Sequence, residues 1–282
     1  MAKVNDDYPK KDISDAKLKE LATQQYEENK VEAFDFPTEI VELPSKGKLY
    51  PEGHPLRSGT IEMKYMTAKE EDILTNQSYI KQGVVLDKLF KALIVTKVNY
   101  NDILLCDKNA IMIAARILGY GKNYSIKATN PSTGEEIEHV IDLTDLKEKE
   151  IDWSLISEGS NTFNFTFPTS RKSIKLKLLT QGEQEKIDAE IKALEKIRKN
   201  APLTTLLKYL IVELDGDTDK AKIRKFVDNN LLAIDSRALR IFLKTITPEI
   251  DMTISIPDGE AGDTFQSELA IGLDFFWPDT KI

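Results

Sequence analysis

Two histidines, one cysteine and several short aspartate runs are the side chains of this 282-residue chain best placed to do chemistry. His54 lies in a loop rich in proline and glycine, "LPSKGKLYPEGHPLRSG", and His139 in a short extended run, "EIEHVI". A serine–histidine–acid site would need tertiary structure to bring one of them to a nucleophile, because no nucleophile-elbow pattern supports it. Cys106 follows Leu104 and Leu105 at the start of a helix, where the helix field lowers a thiol pKa. Its apolar neighbours favour a buried structural thiol instead. "DGDTDK" opens like a calcium loop at Asp215, Asp217 and Asp219. Such a loop needs glycine at its sixth position and glutamate at its twelfth, and Lys220 and Phe226 stand there. In "GYGKN" the glycines follow a helix rather than join a strand to one, so they cradle no phosphate. The remaining carboxylates fall mostly on polar helix faces, as solvating charge. No catalytic, cofactor-binding or metal-binding set is expected. An enzyme reading would have to draw on carboxylates, Cys106, or His54 and His139.

Composition narrows the class further. Asp and Glu number 47 against 39 Lys and Arg, a formal net charge of -8. No basic excess exists to displace counterions from a phosphate backbone, so a nucleic-acid partner is not expected. No apolar run reaches the roughly 18 residues that a membrane span needs. The opening "MAKVNDDYPKKDISDAK" lacks the apolar stretch of a secretory signal. One cysteine makes no internal disulfide. These features fit a protein made and used in cytoplasm.

The elements that would position these groups follow from periodicity. Residues 1–35 read as a polar, flexible N-terminal arm, with a thin helical stripe between Lys17 and Glu28. Ile40 to Leu43 gives a short extended run, and a loop punctuated by Pro44, Gly47, Pro51, Gly53 and Pro55 follows. Residues 60–67 alternate as a strand, with Ile61, Met63 and Tyr65 on one face. Thr67 and Glu70 form a capping box for the next helix. Residues 78–119 read as helical, with a second helix from Asp107 to Leu118 ended by Gly119 and Gly121. Turn residues at Asn130–Gly134 predict a hairpin over 124–141, and period-two alternation predicts another over 162–179. Residues 181–247 read as helices, with Ile187, Ile191, Leu194 and Ile197 in one stripe and Asp219 and Ser236 as N-caps. A terminal hairpin spans 250–278. Helices and hairpins occupy separate stretches, which predicts an α+β class with helical-bundle-like regions and three hairpins. A lobe over 36–147 and another over 148–282 are expected.

The chain ends in "GLDFFWP". Chain termini are ordinarily polar and frayed, so three adjacent aromatics need a reason. Each can bury roughly 150–250 Å². They are expected to dock the last hairpin onto the helical region, or to anchor a neighbouring subunit.

"ELPSKGKLYP", "GTIEMKYMTAKEEDILTN", "GVVLDKLFKALI", "ARILGYGKNYSI" and "GLDFFWP", in this order, resemble the T-even-type bacteriophage baseplate hub family. Its members are hub subunits or hub assembly factors of contractile-tailed phages, and the resemblance covers roughly residues 37–282. It implies a non-enzymatic protein that acts through contacts with other baseplate or hub proteins. Host cytoplasm during assembly, and the virion tail baseplate, are the implied locations; a homo-oligomer is compatible. Candidate interface residues are Pro44, Lys46, Tyr50, Pro51, His54, Phe275, Phe276 and Trp277, with the arm as a further contact region. Relatives carry zinc-knuckle cysteines in the hairpin after "LGYG", and some carry a pair near the C-terminus. Here Asn130 and Thr133 stand at the cysteine positions of the first turn. The resemblance therefore implies two degenerate, metal-free zinc-ribbon-like hairpins, without zinc or other cofactor.

Overall fold

The first strand, β1 (Thr38–Glu42), pairs antiparallel with β2 (Thr60–Lys64), Thr38 opposite Lys64 and Glu42 opposite Thr60. The computed structural model describes residues 37–131, 133–258 and 263–276. The expected arm over 1–35, its helical stripe and Trp277 lie outside them. Ile61 and Met63 point inward from β2. Tyr65 falls one residue past the strand and is exposed. Helix α1 (Ala68–Thr75) starts on the expected capping box of Thr67 and Glu70. Glu70 is buried, and Lys64 Nζ at 2.8 Å neutralises it.

The long helical stretch expected over 78–119 is broken into three. Helices α2 (Gln77–Gln82) and α3 (Val85–Leu93) are followed by an irregular segment, then α4 (Leu105–Tyr120). The break has a backbone cause. The outer edge of β2 needs partners, and the chain after α3 supplies them. Val95 N–H donates to Glu62 O at 2.9 Å, and Thr96 Oγ1 accepts Glu62 N–H at 2.7 Å. Helix α3 buries Val85, Leu89, Phe90 and Leu93, one face at helical spacing. Helix α4 begins two residues before its expected start and carries Ile111, Ala115 and Leu118 inward.

Three hairpins form where turn residues placed them: β3 (Asn123–Thr129) with β4 (Glu136–Asp142), β5 (Phe163–Thr166) with β6 (Ser173–Leu176), and β8 (Thr253–Asp258) with β9 (Asp263–Glu268). The stretch 181–247 is not wholly helical. Helices α5 (Gln181–Lys196) and α6 (Pro202–Leu210) are followed by strand β7 (Ile211–Leu214), then α7 (Lys220–Asn229) and α8 (Ala233–Ile246). β7 takes the free edge of β6, making a three-stranded sheet β5–β6–β7. The cross-strand pair Lys175–Glu213 at 2.8 Å supports that register. Asp219 caps α7 as expected. Ser236 does not cap α8; it lies inside the helix, buried, and Leu232 holds the cap position. The stripe of α5 buries Ile187, but Ile197 falls past the last turn and is exposed. Eight α-helices and four small antiparallel sheets among the described residues make an α+β architecture.

One apolar cluster takes residues from Leu43 to Phe276. A smaller one, Ala128 with Ile254 and Ile256, joins the β3–β4 and β8–β9 hairpins. Phe167, just past β5, meets Phe165 edge-on and lies tilted against Phe226, and Phe165 meets Phe242, tying the end of β5 to α7 and α8. The terminal aromatics were expected at the end of the last hairpin strand. β9 instead stops at Glu268, and Phe275 and Phe276 sit in a one-turn helix, Leu273–Phe276. Both are buried. Phe276 meets Phe90 of α3 edge-on at 5.8 Å, and Phe275 meets Tyr124 of β3 at 4.8 Å. Phe276→Ala should cost about 3–5 kcal/mol, a fall in Tm of about 2–4 °C per kcal/mol for a chain of this size. Calorimetry checks this; a Tm shift like that of a surface substitution would show that the end of the chain is not part of the core.

Candidate functional site

The loop from Pro44 to Pro55 was expected as a contact region, but much of the stretch from Leu43 to Gly59 is interior. Leu43, Pro44, Ser45, Leu49, Tyr50 and Leu56 are buried. The loop closes on itself where Leu43 N–H donates to Gly59 O at 2.9 Å. At that closure Gly47 has φ +73°, and a Cβ there would lie 2.3 Å from Arg57 O. Arg57 reaches back with Nη1 to Gly47 O at 3.2 Å and Lys48 O at 3.1 Å. The backbones meet too closely for any side chain, so glycine is required.

Asp107, in the first turn of α4, holds this loop. Its side chain has no exposed surface. Oδ1 accepts Ser45 N–H at 2.9 Å; Oδ2 accepts Ser45 Oγ–H and Tyr50 O–H, each at 2.8 Å. The Tyr50 phenol oxygen, Oη, in turn accepts Leu104 N–H at 3.0 Å, a donor that has no partner within the helix it precedes. Next along the chain, Leu105 N–H donates to Leu179 O and Gln181 N–H to Ile103 O, so the starts of α4 and α5 are laced together. Burial pushes the Asp107 carboxyl up to about 6 despite the hydrogen bonds from Ser45 and Tyr50 that pull it down. Burial likewise pushes up the Tyr50 phenol, beside the Asp107 charge, and the Cys106 thiol.

The expected site residues are therefore divided. Tyr50 stacks on His54 with ring centroids 4.6 Å apart. His54 Nδ1 accepts Leu56 N–H at 3.2 Å and caps the turn Pro55–Ser58; burial lowers its imidazole pKa, with Asp102 opposing. Lys46 pairs with Glu148 at 2.5 Å and Glu42 at 3.4 Å. Pro51 is exposed, with Glu52, Gly53 and Pro55, at the tip of the loop. Pro44 and Tyr50, expected as contact residues, are interior, as are Phe275 and Phe276. Cys106 is buried. His139 lies far along the chain, in a cleft of about 470 Å³ with Asp142, Asp145 and Asp251. Two of those carboxylates are engaged: Asp142 with Lys122 and Thr144, and Asp251 with Thr253 N–H. Among the described residues no three His, Cys, Asp or Glu side chains gather as a metal would need. At the turn of the β3–β4 hairpin, Asn130 Oδ1 accepts Thr133 N–H at 3.2 Å, and Asn130 N–H donates to Glu135 O at 2.8 Å. A side-chain amide closes this turn.

Asp107 and Ser45 are the residues that sequence reasoning missed. Asp107 reads as one more solvated helix charge. The signal was its place directly after four apolar residues, Ile103 to Cys106, within the first helical turn, where a buried anion meets the helix field.

These features define an α+β protein whose buried polar groups fix a loop in place. Residues 36–276 match the family described as T4 bacteriophage base plate protein. The match takes in most of the 282 residues, and the chain belongs to this family of phage baseplate proteins. No curated protein and no solved structure matches it.

The Asp107 carboxyl titrates at about 6 in the fold against 3.8 ordinarily. A carboxyl raised by folding binds its proton more tightly in the native state. Its stabilising contribution is therefore complete below about 3.8 and is lost as pH rises through about 6. From neutral pH down to about pH 4, the native chain should gain roughly 2–3 kcal/mol relative to Asp107→Asn, which does not titrate there. Denaturant unfolding of both proteins at the two pH values reads this difference, and a pH-independent gap between them would refute it.

Proposed function

We propose that the chain is a non-enzymatic protein of the baseplate hub, or an assembly factor for it, and that it works through contacts with other baseplate proteins. The observation that carries this reading is the family match over 36–276. The fate of the reactive side chains supports it. Ser45 spends its hydroxyl on Asp107, Cys106 is buried, and His54 spends Nδ1 on a backbone N–H. The hub assignment within the baseplate rests on the order of the sequence motifs. The surface proposed to meet partners is the tip Pro51–Gly53 with Lys46 and His54. Assembly takes place in the host cytoplasm, and no described helix is long and apolar enough to cross a membrane.

Quantitative mass spectrometry of purified virions, of isolated hub intermediates and of infected-cell lysate tests the proposal. A hub subunit is present in the virion at a copy number that fits baseplate symmetry. An assembly factor is found with hub intermediates and is missing from the virion. Absence from both, with abundance in the lysate, would overturn the reading.

A further inference from the structure

Helix α8 (Ala233–Ile246) is built for two partners, and the chain supplies one of them. Its inner face buries Leu239 and Ile246. Its one acid, Asp235, also turns inward, where it accepts Thr169 N–H at 2.9 Å and Ser170 N–H at 3.0 Å from the turn between β5 and β6. The outer face has a different composition. Ile234 is 61% exposed and Ile241 56%. Seven residues apart, they lie on one stripe about two turns long. Leu232, just before the helix, is 45% exposed. Asp152 N–H donates to Thr245 O at 3.2 Å, which brings the turn containing Leu155, 44% exposed, to the helix's far end. Beside the apolar stripe runs a basic one: Arg237 and Lys244, again seven apart, with Arg240 at its edge. All three are exposed. None has an ion-pair or hydrogen-bond partner among the described residues. By contrast Lys46, Lys64, Lys122, Lys175, Lys208 and Lys222 each reach a carboxylate.

We infer that the outer face of α8 is a docking surface for an acidic amphipathic helix of a partner protein. Charge selects the occupant. Three cations without a partner among the described residues, and no outward acid on the helix, on a chain of net charge -8, complement an anionic flank. The apolar stripe takes the partner's apolar residues, as in helix packing flanked by charged positions. A second copy using the same face would set Arg237 and Lys244 against their own kind. A lipid surface is a poor fit, because the stripe carries neither Trp nor Phe and the helix is held fast on its other side. The inference rests on the reading that the chain acts through protein contacts, but not on its place in the hub.

The test uses the purified full chain and a fluorescent peptide of about 15 residues, helical, with Leu on one face and Glu on its flanks. Anisotropy should show saturable binding that weakens with added salt. Binding should fall at least about tenfold in Arg237→Glu/Lys244→Glu and in Ile234→Ser/Ile241→Ser. Both variants change exposed positions, so thermal melting should confirm that they fold; if one does not, the other and the salt dependence decide. A version with Lys in place of Glu should not bind, and neither should phosphatidylserine–phosphatidylcholine vesicles. No saturable binding of the acidic peptide, equal binding of the basic one, preference for vesicles, or self-association abolished by the same substitutions would each overturn the inference. A negative result here leaves the virion mass spectrometry to judge the hub reading on its own.

Discussion

A carboxylate removed from water must be met by donors, or it destabilises the fold by several kcal/mol. Asp107 is in that position, and much of the architecture around it follows. Three donors reach it, all from the loop between β1 and β2. The loop must therefore fold inward, and Gly47 and Gly59 let its two ends pass in contact. Tyr50 serves twice, donating to Asp107 and accepting from Leu104. Removing any one of these groups leaves another without a partner, which is why such a network specifies one arrangement.

The network also sets where the helices begin. Leu104 is the last residue before α4, and the backbone around it is laced to the residues before α5. Gln181, at the first position of α5, donates to Asp87 and accepts from Lys108, so α3, α4 and α5 share one polar junction. Around it the apolar cluster closes, finished by Phe275 and Phe276 against α3 and β3. With this interior engaged in holding the fold, the loop tip at Pro51–Gly53 and the outer face of α8 stay exposed, and these are the surfaces proposed for partners. That division suits a member of a family whose other members build a baseplate.

Features set by neighbouring residues were legible in the sequence. Thr67 and Glu70 announce a helix because both halves of the capping box lie within one turn. Asn130, Pro131 and Gly134 announce a hairpin because turn geometry is local. Features set by distant residues were not. Ile211–Leu214 looks like more helix after Leu210, and becomes a strand only because β6 has a free edge. Residues 94–104 leave the helix because β2 needs partners. The prolines and glycines of the 43–59 loop mark a turn-rich path, but say nothing of which side of the surface it takes. Asp107 was read as a solvated charge because its three donors lie 57 to 62 residues away.

Amide hydrogen exchange of the native chain at Ser45 and Leu104 tests whether Asp107 and Tyr50 fix the loop. If they do, both N–H groups open only when the whole protein unfolds, with the same protection as core amides of α4 such as Ile111. If they exchange far faster than Ile111 under conditions that keep the chain folded, the loop opens on its own, and the buried carboxylate is not what holds it.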